Sequence, residues 1–140
     1  MPKAPLDGID IWPLLTGARP SMEREALLYF DDWNLQCARW GKWKLHFARY
    51  NTMAYNPAPA GGRVNLALRP PELYDLERDP MESYDVAAAN PETVREIQAR
   101  VDRLLATFPE QVKKAWADTQ GRETAVSPTG ALPRAIPQKK

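Results

Sequence analysis

Hydrophobic and polar residues alternate most clearly in the segment from Trp43 to Ala48. Its apolar positions are Trp43, Leu45 and Phe47, and the positions between them are Lys44, His46 and Ala48. A period of two gives a β-strand one apolar face and one mixed face, which is typical of an antiparallel sheet covered on one side. The segment is therefore predicted to be a strand whose apolar face lies on the core.

Three other strands are predicted around this segment. Ala26–Phe30 and Leu35–Trp40 are rich in apolar and aromatic residues, and the polar residues Asp31–Asn34 separate them as a turn. Residues 49–71 contain four prolines and two glycines, so they are predicted to form a long connection. A short last strand is predicted at Glu72–Leu76.

A helix is predicted from Pro91 to Phe108. Its apolar residues fall on one stripe at helical spacing, and they are Val94, Ile97, Val101, Leu104, Leu105 and Phe108. Asn90 is predicted to be the N-cap, with Pro91 at the first helical position. A shorter helix is predicted to follow and to end at Ala117.

These elements predict an α+β fold over residues 1–118. A small antiparallel sheet of three or four strands carries the amphipathic helix on one face. Residues 119–140 are predicted to be a flexible tail. Prolines and glycines interrupt residues 1–25, but Ile9–Leu15 carries enough apolar surface for one helical turn that packs against a neighbouring surface.

The overall charge excludes some classes of partner. The chain has 19 Lys and Arg against 18 Asp and Glu, a net charge of +1, so neither nucleic acid nor an anionic membrane is an expected partner. No apolar run approaches the roughly 20 residues that a membrane-spanning helix requires. Met1–Pro5 is not followed by an apolar stretch, so no signal peptide is predicted.

The sequence offers few residues for metal binding or nucleophilic catalysis. It contains one cysteine and one histidine, which excludes an intramolecular disulfide and a zinc site built from cysteine and histidine pairs within one chain. Cys37 lies between Gln36 and Ala38 in a predicted strand, where a buried structural thiol is the simpler interpretation than a nucleophile.

Three segments resemble the C-terminal region of sulfatases, and they follow that family's order and spacing. They are Leu6–Gly17 (LDGIDIWPLLTG), Ala38–Phe47 (ARWGKWKLHF) and Glu72–Glu82 (ELYDLERDPME). The resemblance covers Leu6 to Phe108 and is to the arylsulfatases in particular. It implies the alkaline-phosphatase-like fold for the complete enzyme. There, a large α/β domain carries the chemistry, and a smaller subdomain with a four-stranded antiparallel sheet and a helix docks on it.

The resemblance also implies which parts of the chemistry this sequence lacks. Sulfatases use a formylglycine made from the cysteine or serine of a C/S-x-P-x-R motif, together with a divalent cation that is usually calcium. Cys37 is followed by Ala-Arg-Trp-Gly, and the family's metal-ligand segments do not occur. We expect no catalytic residue, metal site or cofactor in this chain, and we expect calcium and formylglycine in the complete family enzyme.

Three side chains are candidates for the wall of a substrate cleft, namely His46, Trp33 and Asp31. In the family, a polar aromatic turn such as Asp31–Asn34 lines the mouth of the active site, and histidine is a common acid–base group. Simpler interpretations stay open, because Asp and Asn favour solvated turns and a lone histidine often lies on a solvated or docking face.

Two functions follow from these features. The first is the C-terminal portion of an arylsulfatase-like sulfuric ester hydrolase, which completes the substrate cleft, supports the catalytic domain and is inactive alone. The alternative is a stand-alone binding or structural module derived from a sulfatase. The expected partner is a sulfatase catalytic domain, encoded upstream or supplied in trans. Self-association is expected as well if Ile9–Leu15 and the tryptophans Trp33, Trp40 and Trp43 are left bare.

Overall fold

Four strands pair in chain order into one antiparallel sheet, β1-β2-β3-β4. The computed structural model describes residues 8–22, 24–52, 56–58 and 60–122. The strands are β1 (Leu27–Asp31), β2 (Asn34–Trp40), β3 (Trp43–Tyr50) and β4 (Asn65–Asp75). The helices are α1 (Trp12–Leu15), α2 (Pro91–Leu105) and α3 (Glu110–Gly121), with a 3₁₀ turn at Ala87–Ala89. Among these described helices, none is both long and apolar enough to cross a membrane.

The apolar face of β3 lies on the core, as its alternating pattern predicts. Leu45 and Phe47 are fully buried, while Lys44 and His46 point to the other face. A tight turn joins β2 to β3, and Gly41 adopts a left-handed φ of 57° there, which glycine accommodates without steric cost. The α+β architecture predicted for the chain is therefore confirmed, with four strands in the sheet.

The fourth strand is much longer than predicted. It runs from Asn65 to Asp75, whereas the sequence predicted a strand only from Glu72 and a connection before it. The pairing with β3 shifts between His46, which lies opposite Glu72, and Ala48, which lies opposite Ala67. Residues 68–71 form the bulge at this shift. Pro70 and Pro71 have no N–H to donate, and a bulge is where a sheet tolerates them.

Helix α2 covers the apolar face of the sheet. Its residues Ile97, Val101 and Leu105 are buried in one cluster with core residues of three strands, Leu35, Ala38, Leu45, Phe47 and Leu73. The predicted stripe is confirmed, although the regular helix ends three residues before Phe108. Asn90 occupies the predicted N-cap position, but its side chain makes no capping hydrogen bond, and its amide donates to the Val86 carbonyl at 2.9 Å instead.

Helix α3 continues past its predicted end at Ala117 and reaches Gly121. Thr119 is buried, and the Asn65 side chain donates a hydrogen bond to its hydroxyl at 3.1 Å. The Trp116 ring meets Phe47 edge-on with the ring centroids 5.5 Å apart. Residues 119–121 thus belong to the helix and not to the predicted tail, of which residues 123–140 lie outside the described residues.

The N-terminal segment forms the predicted helical turn but stays uncovered. Ile9, Ile11, Trp12, Leu14 and Leu15 are all exposed, Trp12 by 67%. Trp40 and Trp43 are not left bare, since both are partly buried against the core. The Arg100 guanidinium lies 4.2 Å from the Trp40 ring, and Lys42 Nζ lies 4.5 Å from the Trp43 ring.

Val101→Asp is predicted to lower the free energy of unfolding by more than about 3 kcal/mol, because it places an unpaired charge in the core. Val101 has no exposed surface. The matched control is Ala99→Asp, which adds the same charge at an exposed position of the same helix. Urea denaturation measures both, and equal effects of the two substitutions would show that α2 does not pack as described.

Candidate functional site

The sheet face turned away from α2 and α3 carries a network of polar side chains. We call it the polar network, and its members are Lys44, His46, Arg49, Glu72, Tyr74 and Glu82. Strand pairing sets Lys44 opposite Tyr74 and His46 opposite Glu72. For Lys44, His46, Glu72 and Tyr74, the network follows from the same alternation that places Leu45 and Leu73 in the core.

Glu82 joins the network from the segment that follows β4. Its Oε1 accepts a hydrogen bond from Lys44 Nζ at 2.6 Å, and its Oε2 lies 2.6 Å from His46 Nε2. The backbone of Glu82 has a left-handed φ of 54°, an uncommon conformation for a residue with a side chain. Asp79 Oδ2 holds the turn by accepting the N–H groups of Ser83 and Tyr84 at 2.6 and 2.8 Å.

Electrostatics define the protonation states of Glu82 and His46. Burial alone would raise the pKa of the Glu82 carboxyl, but hydrogen bonds from Lys44 and His46 outweigh it and hold that pKa below its usual value. Burial lowers the pKa of His46 despite the carboxylate beside it. A neutral imidazole can bond to an ionised carboxylate only as a donor, so this contact favours the tautomer of His46 with the proton on Nε2.

A second group of the network centres on Glu72. Its Oε2 accepts hydrogen bonds from Arg49 Nη2 at 2.5 Å and from the Tyr74 hydroxyl at 2.8 Å. Burial and the bond to Glu72 raise the pKa of Tyr74, which keeps its hydroxyl protonated. Arg49 Nε is buried and has no hydrogen-bond partner among the residues that the structure describes.

A cleft of about 650 Å³ opens beside the polar network. Most of its lining residues have polar side chains, and they include Asp31, Gln36, His46, Arg49, Tyr50 and Arg63. Residues from β1, β2, β3 and the β3–β4 connection thus meet at one place, which the sequence alone does not indicate.

Arg63 forms one side of this cleft. Its Nη2 lies 2.6 Å from Asp31 Oδ2, and its guanidinium carbon lies 3.5 Å from the Tyr50 ring centroid. The Asn34 amide donates to the Tyr50 hydroxyl at 3.0 Å. The turn between β1 and β2 is thereby tied to the β3–β4 connection.

The cleft unites two of the three residues predicted for a substrate site. His46 and Asp31 both line it, whereas Trp33 lies at the β1–β2 turn, 49% exposed and outside the lining. Sequence reasoning missed Arg49 and Arg63, which fall in the segment predicted to be a connection. The sequence signal that could have indicated them is the presence of basic residues within a proline- and glycine-rich segment.

The described residues do not fit the family's nucleophile or metal. Cys37 is buried in β2, and burial raises the pKa of its thiol to about 11, so the thiol is protonated at neutral pH. Across residues 8–22, 24–52, 56–58 and 60–122, no three His, Cys, Asp or Glu side chains are grouped so that they could hold a metal ion.

Comparisons with known proteins match most of the chain. Residues 22–131 match the family model for the C-terminal region of aryl-sulfatase. Human arylsulfatase A is 31% identical over 133 residues, covering 81% of this chain and 26% of that protein. Mouse steryl-sulfatase is 32% identical over 126 residues, covering 79% and 20%. Human arylsulfatase D is 30% identical over 118 residues, covering 72% and 19%. The chain spans about a quarter or less of the length of these relatives.

Stability is predicted to decrease as the pH falls from about 7 to about 5, because of His46. The imidazole has an ordinary pKa of 6.5 when unfolded and a lower pKa in the fold. Between these two pKa values the unfolded chain binds a proton that the folded chain does not, so acid reduces the free energy of unfolding. Urea unfolding at both pH values measures the effect.

His46→Gln is the control for this pH dependence. It removes the titrating group, so the free energy of unfolding should change less across the same range. Glu82 does not mask the effect, because its lowered pKa places its titration in more acidic solution. An equal pH dependence in both proteins would contradict the role of His46.

Proposed function

This chain belongs to the sulfatase family as part of its C-terminal region, and from that premise we propose that it completes the substrate cleft of an arylsulfatase-like sulfuric ester hydrolase and supports its catalytic domain. The cleft that contains His46 and Asp31 is the observation that carries this proposal. A wall with many hydrogen-bonding groups and an aromatic ring suits contact with the organic part of a sulfate ester.

The charge balance of the cleft supports contact with the organic part and not with the sulfate group. Each cation in or beside the cleft has a carboxylate partner, and the pairs are Arg63 with Asp31, Arg49 with Glu72, and Lys44 with Glu82. An almost neutral wall gives little attraction for an anion. It still presents many N–H donors and oxygen acceptors to a polar, uncharged group.

The reacting groups would then come from the catalytic domain. Cys37 is a buried, protonated thiol, and no three His, Cys, Asp or Glu side chains among the described residues are grouped so that they could hold a metal ion. Formylglycine and a calcium ion, the groups that the family uses, would lie across the cleft from this chain. The role proposed for this chain is to shape the cleft and to orient the substrate.

The uncovered N-terminal segment supports the proposal that this chain docks on a catalytic domain. Ile9, Ile11, Trp12, Leu14 and Leu15 are neighbours along the chain, and the described residues leave all of them exposed. Exposed apolar surface of this kind marks a site of protein contact. Because the chain belongs to the C-terminal region of the sulfatase family, we propose a sulfatase catalytic domain as the partner that covers this segment.

The purified chain is predicted neither to hydrolyse an aryl sulfate nor to bind calcium tightly. A buried thiol with a raised pKa is a poor nucleophile, and six or more oxygen ligands are needed to hold calcium well. A chromogenic aryl sulfate assay and calorimetric titration with calcium measure both properties. Turnover that Cys37→Ala abolishes would show that this thiol is the nucleophile. Turnover that survives Cys37→Ala would contradict the assignment of the chemistry to a partner.

The isolated chain is predicted to self-associate or to bind a sulfatase catalytic fragment in trans, through the N-terminal segment. Trp12→Ser combined with Leu15→Ser should weaken the association, because both side chains are largely exposed. Met81→Ser is the matched control, since Met81 is an exposed apolar residue elsewhere on the surface. Sedimentation velocity measures the outcome.

A mixture of this chain with a sulfatase catalytic fragment also tests whether the cleft contacts the substrate. If turnover appears on adding the chain to a catalytic fragment, Arg63→Gln in the cleft should raise the KM, whereas Arg95→Gln on the exposed side of α2 should not. A stable, monodisperse monomer that binds neither the fragment nor a hydrophobic dye would instead favour a stand-alone module.

A further inference from the structure

His46 lines the cleft, and one of its ring nitrogens is engaged by no residue that the structure describes. Nε2 lies 2.6 Å from Glu82, whereas Nδ1 has no hydrogen bond to any described residue and is not among the buried unpartnered atoms. The side chain keeps 15% of its surface exposed, and it lines the cleft. Nδ1 is therefore open to a bound ligand.

We propose that Glu82 is a positioning residue: it fixes the proton of His46 on Nε2, so that Nδ1 accepts a hydrogen bond from a hydroxyl group on the organic part of the substrate. The inference rests on the proposed function of the cleft. It adds a residue, Glu82, that does not line the cleft, and it names the group that His46 would recognise.

The geometry around Glu82 supports a positioning role. Lys44 occupies Oε1, which leaves Oε2 for His46 and keeps the carboxylate from rotating. The left-handed backbone at Glu82 and the hydrogen bonds of Asp79 set the direction of the side chain. An ionised carboxylate only accepts hydrogen bonds, so it selects one tautomer of a neutral imidazole.

The other groups that face His46 leave Nδ1 open. Cys37 lies opposite it on β2, and Lys44 and Arg49 lie near it on β3. From β4, Tyr74 meets the imidazole edge-on at 5.5 Å between ring centroids, and Glu72 is engaged with Arg49. The lowered pKa of His46 agrees with an imidazole that is neutral when a ligand binds.

The chemistry of Nδ1 and Arg49 indicates the class of ligand. Nδ1 of this tautomer is an acceptor, and the Arg49 guanidinium, which lines the same cleft, is a donor. A hydroxyl group donates and accepts at once, so it satisfies both. A ligand without a hydrogen-bond donor would leave Nδ1 unsatisfied, which favours substrates with a free hydroxyl on their organic part.

The tautomer is measured by 15N NMR of the full chain, in which His46 is the only histidine. At neutral pH the Nε2–H form is expected in about tenfold excess or more, the preference that a hydrogen bond to a charged group provides. Glu82→Leu should give a mixture of tautomers, while Glu82→Gln, which keeps an acceptor oxygen, should retain the Nε2–H form. Lys44→Met is the control that removes the other partner of Glu82.

A tautomer preference unchanged by Glu82→Leu, or an Nδ1–H form in the natural chain, would overturn the role of Glu82. Should Glu82→Leu fail to fold, the comparison of the natural chain with Glu82→Gln and Lys44→Met still decides it. In that case, an Nδ1–H form in Glu82→Gln or in Lys44→Met, both of which keep an acceptor oxygen at position 82, would overturn the role of Glu82.

The ligand is tested with catechol monosulfate and phenyl sulfate, which differ by one hydroxyl group. The Nδ1 resonance is expected to shift with catechol monosulfate and to shift less with phenyl sulfate. If both probes shift the Nδ1 resonance equally and also change the resonances of Gln36 and Asn51, the cleft binds substrate but His46 does not contact the hydroxyl group. That result would overturn the hydroxyl contact and support the proposed function of the cleft. No change at any cleft residue with either probe would overturn both the cleft function and the hydroxyl contact, while the tautomer measurement would still decide the role of Glu82.

Discussion

The packing of α2 across one face of the sheet determines what the other face can be. Ile97 and Val101 are fully buried in one cluster with Leu45 and Leu73, so those strands must turn their apolar positions toward the helical side of the sheet. Strand alternation then directs every second side chain of β3 to the opposite face. Lys44 and His46 lie there because the core residues on either side of them are fixed.

Charged side chains on that second face must find partners, because they are only partly exposed. Glu72 keeps 10% of its side-chain surface and Lys44 keeps 20%. Leaving one member of such a pair alone costs far more than the pair itself contributes. Exposed pairs such as Arg95 with Glu92 on α2 contribute little by comparison. The polar network therefore constrains where the segment after β4 returns to the sheet, and so where Glu82 lies.

Sequence periodicity predicted the elements whose patterns are local. β1, β2, β3 and the stripe of α2 were all predicted correctly, because each pattern repeats within one segment. The first half of β4 was not, since Pro70 and Pro71 in a sequence indicate a loop, and only the pairing with β3 shows that they lie in a bulge. His46 and Asp31 were proposed on their chemistry and their place in the sulfatase resemblance. The cleft that they share also depends on the β3–β4 connection, and the sequence of that connection has no hydrophobic periodicity from which its path could be predicted.

The residues missed in the site were missed for a physical reason. Glu82 lies 36 positions from His46 along the chain, and a left-handed backbone conformation, which nothing in the local sequence requires, aims it at the imidazole. Core and site thus occupy opposite faces of one sheet. The core gives the chain its own apolar interior, so the polar face can be arranged for binding without contributing to that interior. The same separation leaves Trp12 and Leu15 outside both, and covering these two side chains requires a surface that the described residues do not provide.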